Sequence, residues 1–147
     1  MCGEGRVKIG LIRVIELKQM KGLRKMSTVQ AMNNYTGKGG CQRMNCAQAV
    51  LSAFKRKFNV EDDTIDLFKI YGGGRAPDGV CGAYYAAKYI IDKYDKDKID
   101  QLKQYFIEAA GALKCNNIRE LRKLPCIGCV EKSSQFLEKL CCDEEIS

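Results

Sequence analysis

Tyr71-Gly72-Gly73-Gly74-Arg75-Ala76-Pro77-Asp78-Gly79-Val80-Cys81-Gly82-Ala83-Tyr84 is a glycine-rich loop that delivers a cysteine to the start of a helix. Consecutive glycines open backbone conformations that other residues resist, and they let the chain pass close to another backbone or a bound group. Pro77 and Gly79 mark a turn, and Asp78 is expected to cap the helix that follows. Cys81 then falls in the first helical turn. There the free amides and the helix dipole favour a thiolate, the form that binds metal or attacks electrophiles. The plain alternative is a tight turn before a buried, inert cysteine, and one cysteine alone does not decide between them.

On either side of this loop the pattern is helical. Ser27 to Tyr35 reads as a short helix ended by Gly37-Lys38-Gly39-Gly40. Asn45 caps a helix over Cys46 to Phe58, with Ala47, Val50, Leu51, Phe54 and Phe58 on one face. Asp62 or Asp63 caps the next, which carries Ile65, Leu67, Phe68 and Tyr71 and ends in the triple glycine. Cys81 to Tyr94 buries Ala83, Ala86, Ala87, Ile90 and Ile91. Ile99 to Leu113 turns Leu102, Phe106, Ala109, Ala110 and Leu113 inward, and Cys115 sits just past it. A short segment over Ile118 to Leu124 precedes Pro125, which suits a first helical position, and Cys126 to Cys142 forms the last helix. No run has strand alternation flanked by hairpin signals, and no repeat has a fixed period. These segments predict an all-α, compact single-domain helical bundle of about six or seven helices.

The 147 residues suit one domain, whose core can bury roughly 70% of the unfolded surface without disulfides. Residues 1–25 form an N-terminal extension of unassigned role, and 26–147 form the cysteine-rich helical domain. Met26 is a candidate natural start, which the intact mass of the native protein would test. The net charge of +7 suits a solvated surface with a mild preference for acidic partners. Its basic residues do not interleave with aromatics as in nucleic-acid modules, so no nucleic-acid partner is expected. No stretch reaches the length of a membrane span. The opening residues lack the apolar region and cleavage site of a signal peptide, which points to the reducing cytoplasm.

Nine cysteines and no histidine are the anomaly. The odd count argues against a closed disulfide framework. The missing histidine excludes serine–histidine and cysteine–histidine nucleophile pairs and histidine-ligated metals. Cys46, Cys81 and Cys126 each fall at or near a helix start, and Cys115 at a helix end. In a compact bundle such ends can meet at one pole, and four thiolates there make the all-cysteine site of an iron–sulfur cluster or a structural zinc. Gly72, Gly73, Gly74 and Gly82 would leave room for the cofactor and supply amide donors to its sulfurs. The remaining cysteines have plainer readings. Cys129 and Cys141 read as core packing, because cysteine is among the most buried residue types. Cys2 and Cys142 read as bystanders near the termini. Cys41 and Cys46 have a ferredoxin-like gap but lack the further cysteine. Cys126-x-x-Cys129 could be a dithiol, although no thioredoxin-like pattern surrounds it. Arg75 pairs with an acidic group or a cluster, or is a surface residue.

Asn45-Cys46-Ala47-Gln48-Ala49-Val50, Gly72-Gly73-Gly74, Cys81-Gly82-Ala83 and two later cysteines together resemble the C_GCAxxG_C_C family of small bacterial and archaeal redox-active proteins. The resemblance runs from about Ser27 to Leu140. It departs at Ala86, where the family motif has a glycine, and at Val80, where threonine is frequent. Of the family's four characteristic cysteines, Cys46, Cys81 and Cys115 match three. The fourth is Cys126 or Cys129, with Cys126 preferred. The resemblance implies a redox role with an iron–sulfur cluster, 2Fe-2S or 4Fe-4S. The chain would then transfer electrons or support a partner oxidoreductase, with a redox protein or a second copy of itself as partner. A thiol–disulfide oxidoreductase and a zinc-stabilised interaction module are the competing readings. No catalytic residue stands out, and whether the protein is an enzyme stays open.

Overall fold

The structure is a computed structural model that describes residues 26–146, with side chains described for 26–140. The expected extension over 1–25, with Cys2, and the side chains of Cys141 and Cys142 lie outside the described residues. Seven α-helices follow in order: α1 Met26–Thr36, α2 Cys46–Ala53, α3 Asp62–Leu67, α4 Gly82–Tyr94, α5 Ile99–Ala110, α6 Cys115–Leu121 and α7 Cys126–Ile146. Among the described residues there is no strand, only an isolated antiparallel bridge between Val80 and Lys114. The fold is all-α, as the sequence predicts.

α7 packs against α1, α2, α4 and α5, and α2 packs against both α1 and α4. The inward faces are those the helical period picks out. Val50 and Leu51 on α2, Ile91 on α4, Leu102 and Phe106 on α5, and Val130 and Leu137 on α7 are all fully buried. Each such side chain contributes about 1.5–3 kcal/mol relative to exposure. Ala86, at the position of the family's glycine, is also fully buried in this core. Phe68 holds the segment before the glycine loop against α4. It stacks on Tyr85 with ring centroids 5.6 Å apart and meets Tyr71 edge-on at 5.0 Å.

Several boundaries differ from the sequence reading, each for a local reason. α2 stops at Ala53 rather than Phe58. The chain turns through Asn59 at φ 53°, a left-handed conformation that asparagine tolerates, and the Val60 N–H donates to the Lys55 carbonyl at 2.9 Å. α3 is preceded by Glu61, which makes no side-chain cap bond, so Asp62 and Asp63 sit in its first turn instead of capping it. Leu67 is 57% exposed because the chain tightens into a 3-10 turn over Phe68–Tyr71. α5 ends at Ala110, where Gly111 at φ 90° closes it, and Cys115 begins α6 instead of trailing α5.

The first described helix is tied to the last by a buried carboxylate. Glu138 accepts from the Ser27 backbone N–H at 2.9 Å and from the Thr28 hydroxyl at 2.6 Å. It thus caps α1 from α7 and complements the positive end of the helix. Glu138→Ala leaves both donors buried without a partner and is expected to cost on the order of 2 kcal/mol. A fall in the urea midpoint at unchanged m-value would register it.

Candidate functional site

Four helices begin around one cavity, and each begins with a cysteine. Cys46, Cys115 and Cys126 are the first residues of α2, α6 and α7, and Cys81 is the N-cap of α4. All four line a single cavity of about 660 Å³, joined by Cys129 one turn further along α7. These five are free thiols, whereas Cys41 is disulfide-bonded.

Each cysteine is set by a specific local device. Asn45 positions Cys46: its Oδ1 accepts from the Gln48 N–H at 2.7 Å, capping α2, while its Nδ2 donates to the Lys69 carbonyl at 2.9 Å. The same side chain therefore ties α2 to the segment entering the glycine loop. Gly72 has to be glycine there, since a Cβ would come within 2.7 Å of Asn45 Cβ. Cys81 and Cys115 each follow one residue of the Val80–Lys114 bridge, and the Cys81 N–H donates to the Leu113 carbonyl at 2.8 Å. Gly74, at φ 86°, backs Cys115, with its Cβ position 3.3 Å from Cys115 Cβ. On α7, Gly128 lets Leu124 and Pro125 lie against the helix beside Cys126.

Asp78 does not cap α4. It sits at φ 64° inside a 3-10 turn over Pro77–Gly79, which leaves Cys81 as the capping residue in extended backbone. This changes the electrostatics expected of Cys81. A hydrogen bond with Cys129 and burial push its thiol up to about 12, against bonds from Cys46 and the Tyr84 N–H that favour the thiolate. A hydrogen bond with Cys81 and burial likewise raise the Cys46 thiol, although the Gly73 and Ala83 N–H groups donate to its sulfur. Burial raises Cys115, with Arg119 opposing. At Cys81 the bond with Cys129 and burial thus outweigh the helix start and the bond from Cys46, and favour the thiol.

Of the four glycines the sequence assigns to a cofactor, Gly73 lines the cavity, at φ 64°. Gly72, Gly74 and Gly82 back the residues around it. Arg75 folds onto its own loop, donating from Nε to the Gly72 carbonyl at 3.1 Å. Cys129, which the sequence offers as core packing or as the alternative fourth ligand, lines the cavity, and so do Tyr35, Arg43, Arg119 and Arg122, which the sequence does not single out. The Cys126-x-x-Cys129 spacing carries a signal for Cys129; an arginine on a helix carries none. Tyr35 hydrogen-bonds Cys126, and burial followed by that thiol pushes its hydroxyl up to about 12.

Fold and cavity together define a class: a small all-α protein whose helix starts bring cysteines to a common cavity. The model of the family described as "Putative redox-active protein (C_GCAxxG_C_C)" matches residues 44–140, and the chain belongs to that family. The matched span includes all five cavity cysteines. Neither a curated protein nor a solved structure matches the chain. Among the described residues, no helix is long and apolar enough to cross a membrane.

Proposed function

We propose that the protein binds an iron–sulfur cluster through Cys46, Cys81, Cys115 and Cys126, and uses it to transfer electrons or to support a partner oxidoreductase. The observation that carries this reading is the meeting of four free thiols, from four separate helix starts, on one cavity without a carboxylate in its lining. The donor set fits: soft thiolates are what iron–sulfur centres take, and backbone N–H groups already aim at the sulfurs of Cys46 and Cys81. A bound cluster would supply one-electron transfer. The chain's own part is to hold the ligands on rigid helix starts, donate amide hydrogen bonds and keep Cys81 and Cys129 away from water. Electron exchange calls for a redox partner protein or a second copy, with no nucleic acid involved.

A single zinc ion is the alternative occupant of the same thiols. Bonds of ~2.3 Å in a tetrahedron need sulfurs ~3.8 Å apart about one point. Among the described residues no three cysteine or carboxylate groups are arranged to hold one metal ion. A second reading, thiol–disulfide chemistry, is favoured by the hydrogen-bonded run Cys46–Cys81–Cys129. Iron, sulfide and zinc analysis of anaerobically purified protein separates the three. Brown protein with stoichiometric iron and sulfide supports the cluster. Colourless protein with one zinc per chain, or metal-free protein with a fast-reacting thiol, overturns it. A cytoplasmic location belongs to the same reading. The disulfide at Cys41 is a bond that a reducing compartment would not keep, so its state in the native protein tests that location.

Gly73→Val is expected to lower iron content while leaving helicity largely intact. Valine is strained at φ 64°, and the residue lies on the cavity wall rather than in a helix. Full iron occupancy in this variant would remove the loop from the site.

A further inference from the structure

We infer that the outer wall of the cysteine cavity binds a small organic anion, a carboxylate or phosphate group on a compact apolar body. Arg43, Arg119 and Arg122 line this cavity, and neither Asp nor Glu does. None of the three guanidinium groups is paired with a carboxylate among the described residues. Three cations facing one space without a carboxylate, and with only the cysteine sulfurs as negative groups beside them, reject a cation and leave a neutral ligand's partners unmatched. An anion satisfies them, and the planar guanidinium fork matches carboxylate and phosphate oxygens two at a time. The Tyr35 hydroxyl lies at the same place, hydrogen-bonded to Cys126. Arg119 faces Cys115 and Cys126 first and Tyr35 more weakly, and Arg43 faces Tyr35 as well.

The rest of that wall is apolar, formed by Ile118, Leu124 and Pro125. It suits the body of the ligand while the arginines take its head. At about 660 Å³ the cavity lies within the roughly 300–1,000 Å³ typical of small-molecule sites. The inference concerns the arginine wall and does not depend on what the cysteines hold.

The test is calorimetric titration of the anaerobically purified full chain with phenyl phosphate, benzoate and neutral benzyl alcohol, with iron and sulfide measured on the same preparation. One saturable site per chain is expected for at least one anion and none for the alcohol, with affinity falling as salt rises. The ratio of the two anions identifies the preferred head group. Arg119→Gln combined with Arg122→Gln should weaken binding at least tenfold, while Lys103→Gln, exposed on α5, should not. Both arginines are exposed, so the fold should survive their replacement, and far-UV circular dichroism checks that it does. No saturable binding of either anion, or equal affinity in the arginine variant, overturns the inference. In the arginine variant, loss of iron with unchanged anion affinity overturns it too, and would mean that the arginines serve the thiolates instead. Iron without anion binding removes this site alone; anion binding without iron removes the cluster alone.

Discussion

Cys81→Ser is expected to abolish bound iron and sulfide, whereas Cys142→Ser should leave both unchanged. Serine keeps the size but offers a hard, poorly ionised hydroxyl where a soft site needs thiolate. Cys81 is 4% exposed, lies on the cavity and hydrogen-bonds two other thiols, so its sulfur sits at the centre of the cysteine group. Cys142 is placed by its sequence near the end of α7, where the dipole disfavours thiolate and Asp143, Glu144 and Glu145 follow. Equal losses in both variants would end the distinction between ligand and bystander. If Cys81→Ser keeps its iron, Cys129 becomes the replacement ligand to test, being the fifth free thiol on the cavity.

The second large effect is expected at Gly82. On propensity, alanine is better than glycine inside a helix by up to ~1 kcal/mol. Here a Cβ would stand 2.7 Å from Cys46 Sγ and 2.8 Å from the Tyr71 carbonyl oxygen. The second of these is backbone and cannot swing aside. Overpacking should therefore win, and Gly82→Ala should lose about 1–3 kcal/mol of stability and displace the Cys46 sulfur. Chemical denaturation measures the first and iron content the second. An unchanged or raised midpoint would mean that the close approach of α2 and α4 at this glycine is not tight.

Much of this architecture is legible in the sequence because it depends on neighbours along the chain. Asn45 announces the start of α2 through its own cap bond, and the buried stripes of α4 and α7 follow from helical spacing. What escapes the sequence depends on partners distant along it. Asp78 has the chemistry of a cap, but the turn over Pro77–Gly79 holds it in a left-handed conformation three residues before the capping position at Cys81. Cys129 falls on the apolar period of α7 and reads as core. It is core, at 2% exposure, and also cavity wall, a double duty that periodicity cannot separate. The arginines read as solvated charge, and only folding shows that α6 and the loop before α2 aim them at one space. Glu138 carries no local signal, because the two donors it serves lie 111 and 110 residues earlier in the chain.

The placement of α7 has a consequence for how the protein matures on the ribosome. Cys126 and Cys129 belong to the last helix, the one that packs against α1, α2, α4 and α5. While the nascent chain is still emerging, Cys46, Cys81 and Cys115 are already made, but the wall that closes around them is not. At ~5–20 residues per second, the earlier thiols spend seconds without it. The cavity comes into being at the end of synthesis, when α7 docks and Glu138 caps α1, so any metal delivered during translation meets an incomplete set of thiols. On the proposed reading a centre would therefore assemble only after translation, and a chain cut short before α7 would carry Cys46, Cys81 and Cys115 without the cavity that joins them.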